Sequence, residues 1–287
     1  MPCILLIDNG SLRANATLQL RNLAEILSIE SGFKIHPVSC KHSNRIPESE
    51  LNGRPAYTFS YFMEQQLSKG EKEFILLPLF FGNSRALTSF IPDEVVTLEE
   101  TFGPITIKIA DTIYPLPQGE EELSTIIYDH IIATALKVFN DSDRSKNYAD
   151  LKNVVLVDHG SPVPRVTAVR QHLANRVREK LAENGANPAA LEEAVMERRE
   201  GKEYDFNGDL LEDWLIHKAE AGETQASVIL MFFLPGSHAG EGGDIIEICD
   251  NVMKKYPAFK ISISPLISEH PKLVSILYER LTHILQN

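Results

Sequence analysis

The sequence predicts an α/β protein of two similar domains, each a parallel sheet with helices on both faces, with a cleft between them. Three observations lead there. Short apolar runs without polar alternation open each half, as expected of strands buried on both faces. Amphipathic helical stretches separate those runs. The chain also repeats itself: Leu6-Ile7-Asp8-Asn9-Gly10-Ser11 returns 150 positions later as Leu156-Val157-Asp158-His159-Gly160-Ser161. Ile75-Leu76-Leu77 and Ser84-Arg85-Ala86 return 153 positions later as Val228-Ile229-Leu230 and Ser237-His238-Ala239. Two nearly equal offsets mean one unit present twice in register.

Residues 3–7 and 153–157 read as the first strand of each half, followed by a Gly-Ser turn and a long helix. Leu18, Leu20, Leu23, Ile26 and Leu27 form the apolar stripe of the first helix; Val166, Val169, Leu173, Val177 and Leu181 form that of the second. Ser11 and Ser161 lie where a hydroxyl can satisfy free backbone N–H groups at a helix start. The next strands are Phe33 to Val38 and Ala194 to Met196, with helices near 57–69 and 208–221. Apolar runs return at Phe74 to Phe81 and Ser227 to Leu234. The last strands are Ile105 to Ala110 and Phe259 to Ile263, before helices near 120–139 and 270–285. Each half is therefore β-α-β-α-β-α-β-α. The polar stretch Asn140 to Asp150 is the linker, so the domains expected are 1–145 and 150–287.

Composition narrows the function. Of 287 residues 43% are apolar and 24% charged, ordinary values for a globular protein. The net charge of −12 speaks against nucleic acid or an anionic membrane as partner. Cys3, Cys40 and Cys249 have no paired spacing, which suits a reducing compartment and gives neither a disulfide framework nor a zinc motif. The first residues run into a strand rather than a signal peptide, and no apolar run approaches bilayer-spanning length. A cytoplasmic location is expected.

The chemistry concentrates in the second half. His159 follows a strand directly, and His238 follows another in Pro235-Gly236-Ser237-His238. Strand ends of a parallel sheet share one edge, where open α/β sheets build their sites. Two imidazoles there make a transition-metal site or a proton-transfer pair. At the matching positions the first half has Asn9 and Arg85, so the pair is confined to the second. Glu197, after the strand ending at Met196, projects from the same edge as a proton acceptor or cation ligand, or pairs with a neighbouring arginine. Arg165, Arg198 and Arg199 lie near that edge and suit carboxylate recognition, although ordinary surface charge would leave the same trace. Arg85 is either an anion contact or a remnant. Ser161 and Ser237 sit in the two turns. The Gly-Ser turns carry no GxGxxG or GxxxxGK[ST] pattern, so a nucleotide site is weakly supported.

These residues resemble a known family. LVDHGSPVP after a buried strand, a Met-Glu pair, then ILMFFLPGSHAGEGGDI is similar to the CbiX/SirB family of sirohydrochlorin chelatases, in its two-domain form. His159 and His238 match the family's two histidines, Glu197 falls where it carries a carboxylate, and Asp244-Ile245 resembles its Asp-Ile pair, without the proline that follows. The resemblance implies a chelatase that inserts Co2+ or Fe2+ into a tetrapyrrole such as sirohydrochlorin, on the way to a corrinoid or sirohaem; neutral imidazole binds Ni2+ as well. It implies His159 and His238 as metal ligands or bases and Glu197 as accessory base. Ser161, Arg165, Arg198, Arg85 and Ser237 become substrate contacts. The metal is a substrate and no organic cofactor is implied; the protein would be a monomer or homodimer. The alternative is a tetrapyrrole- or metal-binding carrier without turnover.

Overall fold

The computed structural model describes residues 2–138 and 151–286; the expected linker lies outside the described residues. The chain divides into two compact units. One comprises Met1–Glu120, Leu234–Ser237 and Pro271–Asn287; the other comprises Glu121–Phe233 and His238–His270.

The first unit holds a four-stranded parallel sheet, β1 (Cys3–Asp8), β2 (Ile35–Ser39), β3 (Glu73–Pro78) and β4 (Thr106–Ile109), in the order β2-β1-β3-β4. The central strands β1 and β3 are buried on both faces along Ile4–Ile7 and Phe74–Leu77, which explains the apolar runs there. Helix α1 (Ala14–Ser31) buries Leu20, Leu23 and Leu27 from the predicted stripe, while Leu18 and Ile26 lie at its margin. It ends at Gly32, whose φ of 73° is the left-handed conformation a helix C-terminus favours. Helix α2 (Phe59–Leu67) follows β2, and a π-helical turn at Ala86–Phe90 leads into α3 (Ile91–Phe102).

The second unit holds β5 (Val154–Asp158), β6 (Leu191–Val195), β7 (Asp209–Leu210), β8 (Gln225–Leu230) and β9 (Lys260–Ile263), all parallel, in the order β7-β6-β5-β8-β9. Helices α5 (Pro164–Glu183), α6 (Leu211–Glu220) and α7 (Asp244–Lys255) cover it. The two-residue β7 occupies the start of what the sequence suggests is helix; α6 begins only at Leu211. Its core joins Val155, Val157, Trp214, Val228, Ile245 and Phe259.

The last helix of each half belongs to the other unit. Helix α4 (Glu121–Val138) packs on α5, β8 and β9, and Glu121 pairs with Arg176 at 3.2 Å and with Lys180. Helix α8 (Lys272–Gln286) packs on α1 and β3, where Arg280 pairs with Glu120 and donates to the Thr112 carbonyl at 3.2 Å. The compact units therefore differ from the contiguous stretches 1–145 and 150–287. Sequence periodicity defines an apolar face without saying which sheet it covers.

Candidate functional site

The site lies in the second unit, at the carboxyl edge of its sheet. Strand β5 ends at Asp158, and His159-Gly160-Ser161 turns the chain toward α5. This turn packs backbone against backbone on the residues after β6. Met196 N donates to Asp158 O at 2.8 Å and Glu197 N to His159 O at 3.1 Å. Gly160 is required there: its φ is +89°, and a Cβ would lie 1.9 Å from the Glu197 carbonyl oxygen. Ser161 Oγ accepts from Val163 N at 3.1 Å; Val163 is itself the N-cap of α5, so the hydroxyl closes the turn before the helix rather than capping the helix as the sequence suggests.

His238 stands beyond β8, where the chain enters α7. Ile245 N donates to His238 O at 3.1 Å, and a Cβ on Gly243 would meet His238 and Ala239 backbone atoms at 3.0 Å. The start of α7 thus lies against the His238 backbone. Asp244, in the first turn of α7, accepts from His238 Nδ1 at 2.7 Å.

The two imidazoles meet edge to face, with ring centroids 4.5 Å apart. His159 Nδ1 lies 3.0 Å from Gly160 O, and a carbonyl can only accept, so Nδ1 carries the proton. In the neutral ring Nε2 then presents a lone pair, and it faces Glu197 Oε1 at 3.4 Å. A lone pair and a carboxylate repel unless a proton or metal ion lies between them. On His238 the Asp244 carboxylate fixes Nδ1–H in the same way and leaves Nε2 free. Both rings therefore offer the nitrogen that binds metals, and both side chains are partly open to solvent. Among the described residues no group of three or more His, Cys, Asp or Glu side chains is placed to hold a metal ion. The arrangement is two imidazoles with flanking carboxylates.

Below the turn lies a buried polar network. Arg170, 1% exposed, sits within the apolar stripe of α5. Its Nη1 donates to Asp158 Oδ1 at 2.9 Å and to Ala194 O at 3.1 Å, its Nε to Glu193 at 3.2 Å, and its Nη2 to Asn207 O at 2.6 Å. Burial pushes the Asp158 carboxyl up while Arg170 beside it pulls the other way. Asn207 is as deeply buried and is bonded to Ser161, Thr167 and Tyr204. Sequence reasoning missed Asp158, Arg170, Asn207 and the pairing of Asp244 with His238. The one available signal was an arginine interrupting the stripe between Val169 and Leu173.

Arg165 and Ser237 are exposed, and Ser161 is half-buried. Arg198 donates to Gly208 O at 3.0 Å and lies 3.5 Å from Asp205, so it braces the loop after β6. Arg199 lies over the Tyr204 ring at 5.9 Å. Arg85, in the first unit, is exposed just before the π-helical turn. The three cysteines are free thiols, and burial pushes those of Cys40 and Cys249 up to about 12.

Fold and site define an α/β protein of parallel sheets that presents two histidines at adjoining strand ends. Residues 153–284 match the CbiX family. The second half of the chain belongs to that CbiX/SirB-type family. A search of curated proteins returns no matching sequence. Among solved structures, the fold is similar to SirB from Bacillus subtilis with Fe3+, at 16% identity over 99% of this chain and 96% of that one, TM-score 0.68. It is also similar to SirB from Bacillus subtilis subspecies spizizenii in complex with cobalt, at 14% identity over 100% and 97%, TM-score 0.64. A third likeness is to CbiX, described as the terminal enzyme of sirohaem biosynthesis in denitrifying bacteria, at 13% identity over 98% of both chains, TM-score 0.59. At these identities the likeness is one of fold.

Proposed function

We propose that this chain is a sirohydrochlorin-type metal chelatase that inserts Co2+ or Fe2+ into a tetrapyrrole. The observation that carries the reading is the His159–His238 pair, with each Nδ1 committed to an acceptor and Nε2 left outside that bond, His159 Nε2 facing Glu197. Insertion exchanges two pyrrole N–H protons for one divalent ion. The protein must therefore present the ion, release it and accept protons. Two imidazole nitrogens hold a first-row ion without enclosing it, and borderline-soft nitrogen suits Co2+, Fe2+ and Ni2+ alike. Glu197, beside His159 Nε2, is the accessory base. Arg165, Arg198, Arg85, Ser161 and Ser237 are assigned to the carboxylate-bearing rim of the macrocycle. The first repeat, with Asn9 and Arg85 in place of histidines, takes no part in metal delivery. Membership of the CbiX family supports the reading. Among the described residues no helix is long and apolar enough to cross a membrane, which suits the cytoplasmic site of action we assign.

Anaerobic mixing of sirohydrochlorin with Co2+, Fe2+ or Ni2+ and sub-stoichiometric protein tests this. Turnover changes the absorbance of many equivalents of tetrapyrrole, and His159→Ala and His238→Ala each remove most of it. Saturation at one equivalent with every metal would instead identify a carrier.

A further inference from the structure

We propose that Asn207 is a positioning residue for His159, acting through the single peptide group that joins Gly160 to Ser161. This deepens the reading of His159 as a metal-presenting imidazole and rests on it for its effect on turnover. The geometry runs through four groups in line. Asn207 Oδ1 accepts from Ser161 N at 3.0 Å. That N–H and the Gly160 carbonyl are opposite ends of one trans peptide plane. The Gly160 carbonyl in turn receives His159 Nδ1–H at 3.0 Å. Whatever orients the Ser161 N–H therefore orients the acceptor that decides which imidazole nitrogen is protonated.

The carboxamide is suited to hold that plane still. Its Nδ2 donates to Ser161 O at 2.9 Å, so both backbone groups of Ser161 are held by one side chain. Nδ2 also donates to Tyr204 O at 3.1 Å, and Oδ1 accepts from Thr167 Oγ1 at 3.1 Å, which fixes the amide orientation. Arg170 Nη2 holds the Asn207 backbone carbonyl at 2.6 Å, fastening the residue to β5 and α5. The side chain is 1% exposed, so water does not compete for these bonds. Restraint is needed because Gly160, at φ +89°, is the least constrained residue of the turn. Position 20, which matches Arg170 in the repeat register, is Leu in the half that lacks the histidine.

Imidazole 15N NMR of the metal-free protein, well above the ordinary histidine titration range, reads the tautomer directly. In the wild type His159 should be in the Nδ1–H form; a wild-type ring in the Nε2–H form overturns the proposal without any variant. In Asn207→Ala the His159 ring should become a mixture of tautomers while His238, held by Asp244, stays as it is. In Asn207→Asp, which keeps an acceptor for Ser161 N–H, the Nδ1–H form should persist. An unchanged His159 signal in folded Asn207→Ala also overturns the proposal. Turnover of Asn207→Ala should fall about 10- to 100-fold, with KM for the tetrapyrrole within about twofold. If the wild type shows no metal insertion but the tautomer shifts as stated, the functional reading fails and the positioning role stands.

Discussion

Arg170 Nη1 lies 2.9 Å from Asp158 Oδ1 beneath the turn that carries His159, with the guanidinium buried and the carboxylate side chain 13% exposed. The ion pair is completed by Glu193 and by the carbonyls of Ala194 and Asn207, so every guanidinium nitrogen has a partner. Removing one member strands the others in a low-dielectric interior. Arg170→Leu should destabilise the second unit by about 3–5 kcal/mol, the usual cost of breaking a buried pair from one side. Adding Asp158→Asn should recover part of that loss. Chemical denaturation followed at Trp214, which sits in the core of that unit, measures both; equal stability of the single and double variants would refute the coupling.

Asp8 is the contrasting case. It ends β1 as Asp158 ends β5, but the residue in register with Arg170 is Leu20. One Asp8 carboxyl oxygen has no partner, and burial pushes its pKa up to about 6, against hydrogen bonds from Ser39 and Gly10 that lower it. A carboxyl whose folded pKa exceeds its unfolded value favours the fold below the unfolded value, near 3.8, and that contribution is lost as pH rises through 6. At neutral pH the buried charge is a liability. Asp8→Asn should therefore raise stability at pH 7 by up to ~3 kcal/mol and have little effect near pH 4. Thermal unfolding of both proteins across that range decides it; a gain that does not grow with pH would refute the assignment.

His130 gives the opposite pH response. It is buried in α4, its Nδ1 has no partner, and its ring lies 5.7 Å from that of His270, which itself lies 3.3 Å from Asp129. Burial, reinforced by His270 and opposed by Asp129, pushes its pKa down to about 4. The unfolded chain takes up this proton near 6.5 and the folded chain only near 4, so stability falls as pH drops through that window. His130→Gln should flatten this acid limb of the Tm profile. An unchanged slope between pH 6 and pH 4 would assign the loss to other groups.

The central strands were legible because β1, β3, β5 and β8 are buried on both faces, so each carries an apolar run with its charged residue only at an end: Asp8 in β1, Glu73 in β3 and Asp158 in β5. Following two predicted strands of one parallel sheet, His159 and His238 are placed at one edge by sequence alone, and their ring centroids lie 4.5 Å apart. Two things were hidden. The exchange of α4 and α8 depends on which sheet offers a matching surface, a choice that amphipathic periodicity does not encode. The support beneath the turn was hidden for a different reason: Arg170 and Asn207 are polar residues that ordinarily face solvent. Only their partners, distant in sequence, reveal that both are buried.

Gly160 and Gly10 separate structure from chemistry. Each has φ near +90°, and in each a Cβ would lie 1.9 Å from a carbonyl oxygen, that of Glu197 for Gly160 and that of Lys41 for Gly10. Alanine at either place must adopt a left-handed backbone, costing about 1–2 kcal/mol, and must also force the two chain segments apart. Gly160→Ala and Gly10→Ala should therefore lower Tm alike. Their effects on metal insertion should differ, because only Gly160 lies between His159 and the backbone of Glu197, joined by the 3.1 Å bond from Glu197 N to His159 O. Parting them moves His159 Nε2 away from the Glu197 carboxylate. Insertion by Gly160→Ala should drop by about 100-fold or more, since an ångström of misplacement at a reacting centre has that effect. Gly10→Ala, compared at a temperature where both variants are folded, should keep most of its rate. Equal losses would mean that the first repeat shares in metal delivery.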